Sequence, residues 1–412
     1  MSKKIILFSV ILGFLLAGSA LSAVENIKVS GDLTTYVGGR YGFDLGAGGD
    51  EADASFIASI ARLRFDSDLT EDVSATLRLI TDRVWGQTVS NASSDVDIDL
   101  AYVTLKNFFN YPLTLKIGKQ EIKIGSGAIV GDPTTNQFAS NDSNLPQSLG
   151  DLDLRKAFDA IVAIADYSPL TITLGYVKDT EGLLTANDDV NVYVIDLGYD
   201  FGNNTQGELY YVLKDAKKSD IGNIGVRVVG SPRENLVLSG EVIYQYDRPD
   251  ARADRKHRSD FAALLGASYT FVDQAWTPTV GVDYAYLSEN WDPMYEDLAA
   301  ANIANNILPN SNAQVIGLTV TAQPQEDMLL KLRYVNLRLA EEVNTLSNAW
   351  TTYSINSDKK DLGDEVDLSV VYNYTEDVQL GLNLDYYNPG KVFNDVNNDD
   401  AFQALGTLKV TF

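Results

Sequence analysis

Three arginines in the first quarter of the chain are spaced so that they could lie side by side on neighbouring strands. Arg62 and Arg64 share one face of a predicted strand, and Arg78 lies on the next strand, after a turn at residues 70–72. If that turn centres on Glu71, Arg64 lies directly opposite Arg78. Like charges in these positions cost stability in a sheet, so carboxylates must neutralise them, either from neighbouring strands or from a passing solute.

The chemistry of such a group is anion binding. A guanidinium group presents a planar fork of N–H donors that binds carboxylates in bidentate fashion, and clusters of arginine or lysine in a pore select for anions. We therefore interpret Arg62, Arg64 and Arg78, with Lys331 and Arg333 of a later strand, as an anion-attracting constriction. In the alternative interpretation, charges of both signs simply pair as salt bridges along the wall.

The elements that must position these residues are strands. From residue 26 onward no segment keeps a helical period, and runs of roughly ten residues alternate between apolar and polar side chains. We predict strands at 27–43, 55–68, 73–86, 97–107, 112–124, 157–166, 170–178, 190–201, 206–214, 222–231, 235–247, 260–272, 277–288, 313–323, 328–340, 364–374, 378–388 and 401–412. The fold class is therefore all-β, with about eighteen antiparallel strands.

The connections and the faces of these strands indicate a membrane barrel. Short breaks such as 167–169 and 202–204 alternate with long ones such as 125–156 and 288–312, as they do in outer-membrane barrels. Val378, Leu380, Leu382, Leu384 and Tyr386 share one face of a predicted strand, and the chain ends on a strand that finishes with Phe412. Lipid cannot satisfy an open sheet edge, so the strands must close into a single transmembrane β-barrel. The expected location is the outer membrane of a Gram-negative-type bacterium.

The N-terminus has the pattern of an export signal. Lys3 and Lys4 precede an uncharged run at residues 5–24 that ends in small residues. This arrangement predicts a cleaved signal peptide at residues 1–22, followed by a single barrel domain at residues 23–412.

Composition excludes several other functions. The chain carries 32 basic and 57 acidic residues, with a formal net charge of −25, which argues against nucleic-acid binding. It has no cysteine and a single histidine, His257, so metal sites of the histidine or cysteine type are not expected. We predict no cofactor and no enzymatic activity. The abundance of Asp and Glu leaves one enzymatic alternative open, a pair of carboxylates of the kind that glycosidases use. The acidic loops 44–53, 141–153 and 394–400 are places where divalent cations could bind.

Several motifs, in order along the chain, resemble the alginate-export family of outer-membrane porins. Lys119-Gln120-Glu121 is similar to that family's Gly-Arg-Gln-Glu strand, and a Gly-rich run at residues 125–133 follows it. The later matches are Arg155-Lys156-Ala157-Phe158-Asp159-Ala160, Trp291-Asp292-Pro293-Met294-Tyr295, Leu362-Gly363-Asp364-Glu365-Val366-Asp367 and Tyr387-Asn388-Pro389-Gly390.

The resemblance implies an eighteen-stranded barrel and passive export or uptake of a polyanionic sugar. It makes Lys119, Gln120, Arg155 and Asp159 candidate pore residues, with Lys119 standing where the family has arginine. The alternation of side chains turns Gln120 inward and Lys119 outward. It also turns three further charged residues inward, namely Lys116, Glu365 and Asp367.

The function expected from these observations is passive diffusion of anionic or polar oligosaccharides through an outer-membrane pore surrounded by lipid. The alternatives are a general or anion-selective porin, a surface adhesin and an outer-membrane hydrolase. An adhesin needs no continuous lumen, and a hydrolase needs a catalytic grouping that the sequence does not display.

Overall fold

The computed structural model describes residues 25–47, 53–86, 95–136, 139–181, 189–217, 219–249, 258–347 and 352–412. The predicted signal peptide at residues 1–22 and the single histidine, His257, lie outside these ranges. Within them, no helix is long and apolar enough to cross a bilayer.

Eighteen strands form one sheet in the described residues, and two further strands make a small separate hairpin. The strands are β1 (Glu25–Tyr41), β2 (Ala54–Thr70), β3 (Val73–Val84), β4 (Asp97–Leu105), β5 (Leu113–Glu121), β6 (Ala157–Tyr167), β7 (Leu170–Thr180), β8 (Val190–Gly202), β9 (Thr205–Ala216), β10 (Ser219–Arg233), β11 (Leu236–Pro249), β12 (Arg258–Thr270), β13 (Thr279–Leu287), β14 (Ala313–Gln325), β15 (Met328–Leu339), β16 (Leu346–Ser347), β17 (Thr352–Tyr353), β18 (Asp361–Asn373), β19 (Val378–Pro389) and β20 (Ala401–Thr411). The helical segments are short and lie at Phe108–Asn110, Gln147–Leu152 and Ala304–Ile307.

The sheet closes because its first and last strands pair with each other. β20 lies antiparallel to β1 from Asp32↔Thr411 to Tyr41↔Phe402, and β1 also pairs with β2. The backbone of Gly31 and Phe412 exchanges two hydrogen bonds, of 2.8 and 3.0 Å. Neither strand therefore leaves an unpaired edge for lipid to meet.

All eighteen predicted strands are present, and their ends differ from the predictions by a few residues. The predicted fold class, a single antiparallel barrel, is confirmed. The alternation of short and long connections also holds, except that β12 and β13 are joined by as many residues as β11 and β12, and that β9 and β10 are joined by a short turn. There, on the long-loop side, β9 ends at Ala216 and β10 begins at Ser219.

Tight hairpins on the short-turn side follow from local sequence. Asn203 and Asn204, between β8 and β9, have positive φ angles of 51° and 55°. Two consecutive residues in this region form the turn type whose twist matches that of the flanking strands, and asparagine tolerates it. In the turn between β10 and β11, Asn235 alone has a positive φ angle, of 65°.

The outward face of the barrel is apolar in its middle and aromatic at both ends. Mid-strand residues such as Leu265, Leu332 and Val242 are half-exposed, as side chains facing lipid must be in the absence of a bilayer. Exposed aromatic residues form two girdles. The long-loop girdle includes Tyr41, Trp85, Tyr176, Tyr193, Tyr244, Phe261, Tyr334, Tyr386 and Phe402, and the short-turn girdle includes Tyr111, Tyr167, Tyr199, Phe201, Tyr269, Phe271, Trp276, Tyr374 and Phe412.

Two long loops pack inside the barrel. We call residues 122–156, between β5 and β6, loop A, and residues 288–312, between β13 and β14, loop B. Ile129 of loop A and Ile303 of loop B belong to one buried cluster with the inward-facing Val212 and Ile243. A second cluster joins Leu145 and other leucines of loop A to β2 and β3. The hydrophobic core therefore lies inside the long-loop half of the barrel, between the two loops and the wall.

The two faces of β15 provide a direct test of the barrel. Leu332 faces outward and Lys331 faces the lumen. Leu332→Arg should lower the free energy of unfolding from liposomes by roughly 2–4 kcal/mol, because it places a charge in the lipid core. The control Lys331→Arg should change it by less than about 0.5 kcal/mol. Equal costs for the two variants, measured by urea unfolding, would contradict the assignment of faces.

Candidate functional site

The three arginines lie together on the lumen wall, as their spacing predicts. Arg64 pairs directly with Arg78 in the register of β2 and β3, and Arg62 lies one inward position further along β2. The predicted juxtaposition of like charges is therefore present. The structure also shows what neutralises it.

Each arginine is bound by carboxylates of the wall. Arg62 contacts Asp32 of β1 at 3.0 Å, and Arg64 contacts Asp66 of its own strand at 2.7 Å. Arg78 bridges two acids, with contacts of 2.5 Å to Asp99 of β4 and 2.5 Å to Glu121 at the end of β5. These ion pairs offset the repulsion without a solute. Salt-bridge pairing along the wall, the alternative interpretation of the sequence, therefore describes these residues.

The ion pairs differ in how far water reaches them. The side chains of Arg64 and Asp66 are each about one-third exposed, whereas Asp99 is fully buried behind Arg78. Lys116, on β5, places its ammonium group 5.7 Å from the ring centroid of Tyr102 and forms no ion pair within the described residues. Arg64 and Lys116 are therefore cations of this wall that a solute in the lumen can reach.

Gln120 turns inward, as its alternation predicts, but it is buried. Its amide donates to the carbonyl oxygens of Ala160 at 3.1 Å and Lys116 at 3.2 Å. Nearby Gly118 has φ of 125°, and a Cβ there would lie 2.1 Å from the carbonyl oxygen of Ala101. The Gln120 side chain therefore satisfies backbone groups where β5 is irregular, so it does not line the open lumen.

Lys119 and Asp159 do not face the lumen. They are register partners on β5 and β6, and their neighbours Gln120 and Phe158 form the inward pair. Phe158 packs edge-on against Tyr295 of loop B, with ring centroids 5.8 Å apart, which identifies the inner side. Because side chains alternate along a strand, Lys119 and Asp159 point outward. The expectation that they line the pore is wrong.

Arg155 is a buried anchor of loop A. Its guanidinium group contacts Asp82 at 2.7 Å, Asp153 at 3.1 Å and Asp97 at 3.2 Å. A buried arginine is stable only when several carboxylates surround it in this way. Arg155 therefore attaches the end of loop A to β3 and β4.

Arg40 is a second anchor, which the sequence analysis did not single out. It is buried, contacts Asp151 of loop A at 2.6 Å and donates to Gln403 of β20 at 2.6 Å. Its position at the end of β1, on the inward side of the alternation, was the only available signal. Asp82 adds to the same attachment, because it accepts hydrogen bonds from Ser143, Asn144 and Leu145 of loop A.

Loop B is held by acidic residues of β18 and β19, the strands next to β20 in the sheet. Glu365 of β18 is buried and accepts hydrogen bonds from the backbone N–H groups of Ile303 at 2.6 Å and Ala304 at 2.7 Å. Asp385 of β19 accepts from the amide of Asn302 at 2.9 Å. Buried Asp367, between them in the sheet, is the register partner of Asp385.

Arg333 completes this attachment. It donates to the carbonyl oxygen of Ala300 in loop B at 2.8 Å and forms a bidentate pair with Asp283 of β13 at 2.7 and 2.8 Å. Arg333 is one of the five basic residues predicted for a constriction, and in the structure its guanidinium group helps to hold loop B in place. Lys331, exposed two residues before it on the same face, points to the open lumen.

The two inward loops are joined to each other. Gly131 donates to the carbonyl of Tyr295 at 2.8 Å, and Tyr295 donates to that of Ile129 at 3.0 Å. Asp297 of loop B binds Lys156 at 2.5 Å and Lys123 at 3.2 Å, both of loop A. Loops A and B therefore form a single constriction element that is attached to the wall at both sets of anchors.

The motifs that carry the family resemblance lie in this element and its supports. Residues 125–133 belong to loop A, and the Trp291–Tyr295 segment belongs to loop B. The two late motifs pair with each other, because Gly363 is the register partner of Pro389 and Glu365 that of Tyr387. Buried Tyr387 also donates its hydroxyl hydrogen to the carbonyl of Leu362. These segments therefore belong to the loops and the wall that shape the lumen.

Comparison with known proteins agrees with this architecture. No protein-family model and no curated protein matches the sequence. Among solved structures, OccK11 (OpdR) of Pseudomonas aeruginosa aligns over 95% of this chain and 97% of that chain, with a TM-score of 0.61 and 13% identity. The outer membrane protein OprD of the same organism aligns over 94% of each chain, with a TM-score of 0.62 and 12% identity. OccAB2 of Acinetobacter baumannii aligns over 95% of this chain and 99% of that chain, with a TM-score of 0.60 and 11% identity.

The chain folds as an outer-membrane β-barrel. The closed sheet and the apolar belt between two aromatic girdles place this barrel in an outer membrane, and the solved proteins share its fold. At such low identity the likeness concerns the fold alone, and membership of the alginate-export family is not shown by it. Across the described part of this barrel, no group of three or more histidine, cysteine or acidic side chains is arranged to hold a metal ion.

The junction between the loops contains two carboxyl groups with perturbed acidity. Burial raises the pKa of Glu296 to about 7, although hydrogen bonds from the Leu298 backbone and the Asn310 amide oppose the shift. Burial likewise raises the pKa of Asp132 to about 6, against its hydrogen bonds from Thr134. Both groups bind protons more tightly when the loops are packed than when they are free.

The packing of loops A and B should therefore weaken as pH rises. Between the ordinary pKa of 4.5 and the folded value of about 7, the packed state of Glu296 holds more protons, so its stability falls over that window. Hydrogen-exchange protection of the Leu298 amide should decrease in wild type from about pH 5 to about pH 8. Glu296→Gln should flatten this dependence. The exposed Glu289→Gln, in the same loop, should leave it unchanged, and a flattened profile there would refute the assignment.

Proposed function

We propose that this protein is a passive outer-membrane channel for anionic or polar solutes, including oligosaccharides. The observation that carries the proposal is the row of cations on the lumen wall of β2, β3 and β5, beside a constriction built from two inward loops. Arg64 is partly exposed there, and Lys116 has no carboxylate within ion-pair distance among the described residues. Lys331, on β15, adds an exposed cation on another part of the lumen wall. Together they give a permeating anion successive weak contacts, as conduction requires.

A general or anion-selective porin is the second candidate. The pairing of Arg62, Arg64 and Arg78 with wall carboxylates favours it, because a paired arginine attracts a solute less strongly than a free one. The two candidates differ in whether a saccharide has affinity for the lumen or only passes through it. Neither requires energy coupling or catalysis.

Ion selectivity tests the basic row. Arg64→Ala removes a cation and leaves Asp66 uncompensated, so the anion/cation permeability ratio in planar bilayers should fall by up to about fivefold, the value of one charge a few ångströms from an ion in water. Arg78→Ala should act in the same direction. The control Arg248→Ala removes an arginine from the outward face, where it lies over Tyr246. Unchanged ratios for Arg64→Ala and Arg78→Ala would contradict the proposal.

Block of the channel current tests the solute class. Uronate oligosaccharides should block single-channel current more strongly than neutral oligosaccharides of equal length at low salt. The difference should shrink as salt rises towards 1 M, where the screening length is about 3 Å. Equal block by both classes would refute the preference for anionic saccharides and leave a general porin. No conductance at all would refute the channel itself.

A further inference from the structure

A polar cavity lies on the outward surface of the barrel, above the long-loop girdle and away from the lumen. It has a volume of about 600 Å³ and is lined by nine residues: three on β15, five within residues 358–364, and Lys391 after β19. Tyr334 belongs to the exposed girdle, and Arg338 lies on the same outward face of β15, four residues closer to the loops. The cavity therefore opens where the lipid headgroups of the outer leaflet begin.

The cavity is rich in cations in a protein that is otherwise strongly acidic. Four of its lining residues are basic and three are acidic, whereas the whole chain has a formal net charge of −25. The excess of basic over acidic residues in the lining is small. The distribution of hydrogen bonds and ion pairs decides which charges a ligand can use.

The acidic residues are mostly engaged. Asp364 accepts hydrogen bonds through Oδ1 from the Tyr334 hydroxyl at 2.5 Å and from the Asn336 amide at 2.9 Å. Asp358 binds Lys359 at 2.6 Å on the exposed rim. Asp361 lies opposite Arg338 in the register, and no ion pair forms between them.

Two of the cations are available. Lys360 is not one of them, because it binds Glu341 at 2.9 Å and also donates to the carbonyl of Ala340. Within the described residues, Arg338 and Lys391 form no ion pair, and both are exposed. The guanidinium group of an arginine can donate two hydrogen bonds to the oxygens of one phosphate, and a neighbouring ammonium group adds a positive charge.

The backbone holds these side chains in place. Leu339 donates to the carbonyl of Lys360 at 2.7 Å, and Val392 donates to that of Asp361 at 2.9 Å. Gly390 allows the close approach, because a Cβ there would lie 2.4 Å from the Asp361 carbonyl oxygen. Three segments of the chain are therefore joined at the base of the cavity, so Arg338 and Lys391 project from an ordered frame.

We propose that this cavity binds the phosphate of a phosphorylated glycolipid headgroup in the outer leaflet, with Arg338 and Lys391 as its principal ligands. The position of the cavity and the charge of its lining residues both support this choice of ligand. The cavity faces lipid rather than the lumen or bulk water, and juxtamembrane cations attract anionic headgroups. The tyrosine of the girdle below it suits the amphipathic boundary of the same lipid. The site is separate from the proposed channel and does not depend on it.

Binding of a defined lipid to the detergent-purified full chain tests the proposal. The probe is a bisphosphorylated diglucosamine lipid, compared with the same lipid after enzymatic removal of both phosphates, with bound lipid measured by native mass spectrometry. Each cation near the surface is worth about fivefold in affinity, so Arg338→Ala/Lys391→Ala should bind the phosphorylated lipid roughly 25-fold more weakly. The exchange Arg338→Lys/Lys391→Arg should retain most binding. Arg248→Ala, which removes an outward cation over Tyr246, should bind as wild type does.

Three outcomes would overturn the proposal. The first is equal binding of the double alanine variant and wild type, and the second is equal binding of phosphorylated and dephosphorylated lipid by wild type. The third is displacement of the lipid by inorganic phosphate at equal concentration, which would indicate a general anion site. Unchanged single-channel conductance of the double variant shows that the barrel has folded, and it separates this result from the proposed channel function.

Discussion

Closure of the backbone hydrogen-bond ladder is the constraint on which the rest of this molecule depends. In hydrocarbon an unpaired N–H or carbonyl group costs several kcal/mol, so a sheet can cross a membrane only without edges. The pairing of β20 with β1 satisfies that condition and leaves an interior that lipid never contacts. Charged residues such as Arg64 and Asp99 can then occupy the wall at modest cost, because each has water or an opposite charge beside it.

Inside the cylinder, buried charge decides where the loops lie. Arg155 and Arg40 hold loop A, and Glu365 and Arg333 hold loop B. Removing a single partner from such a group leaves a charge buried without compensation, which typically costs 3–5 kcal/mol. A pair of apolar residues could supply similar stability, but apolar contacts do not fix the orientation of the groups that they join. The hydrogen bonds therefore specify one arrangement of the two loops, and with it the shape of the passage.

The candidate site was partly accessible from sequence, and each failure has a physical cause. The pairing of Arg64 with Arg78 followed from one turn and a period of two, and it is confirmed. The pore role of Lys119, which the family resemblance implied, is wrong because the alternation of side chains turns it outward. That of Gln120 is wrong because its amide satisfies backbone groups beside the irregular Gly118, which a local pattern does not reveal. Arg40 was missed for the same reason, since its partner Asp151 lies far away in sequence.

By itself the sequence determined the all-β class, the eighteen strands, the faces that meet lipid and the register of the β2–β3 hairpin. These depend on alternation and on turns, which are local properties, and lipid makes the alternation strict. Only the tertiary structure decided that loops A and B fold inward, that wall carboxylates neutralise the arginines, and that Arg338 and Lys391 share an outward cavity. Each of these depends on contacts between segments far apart in the chain, which a one-dimensional pattern does not encode.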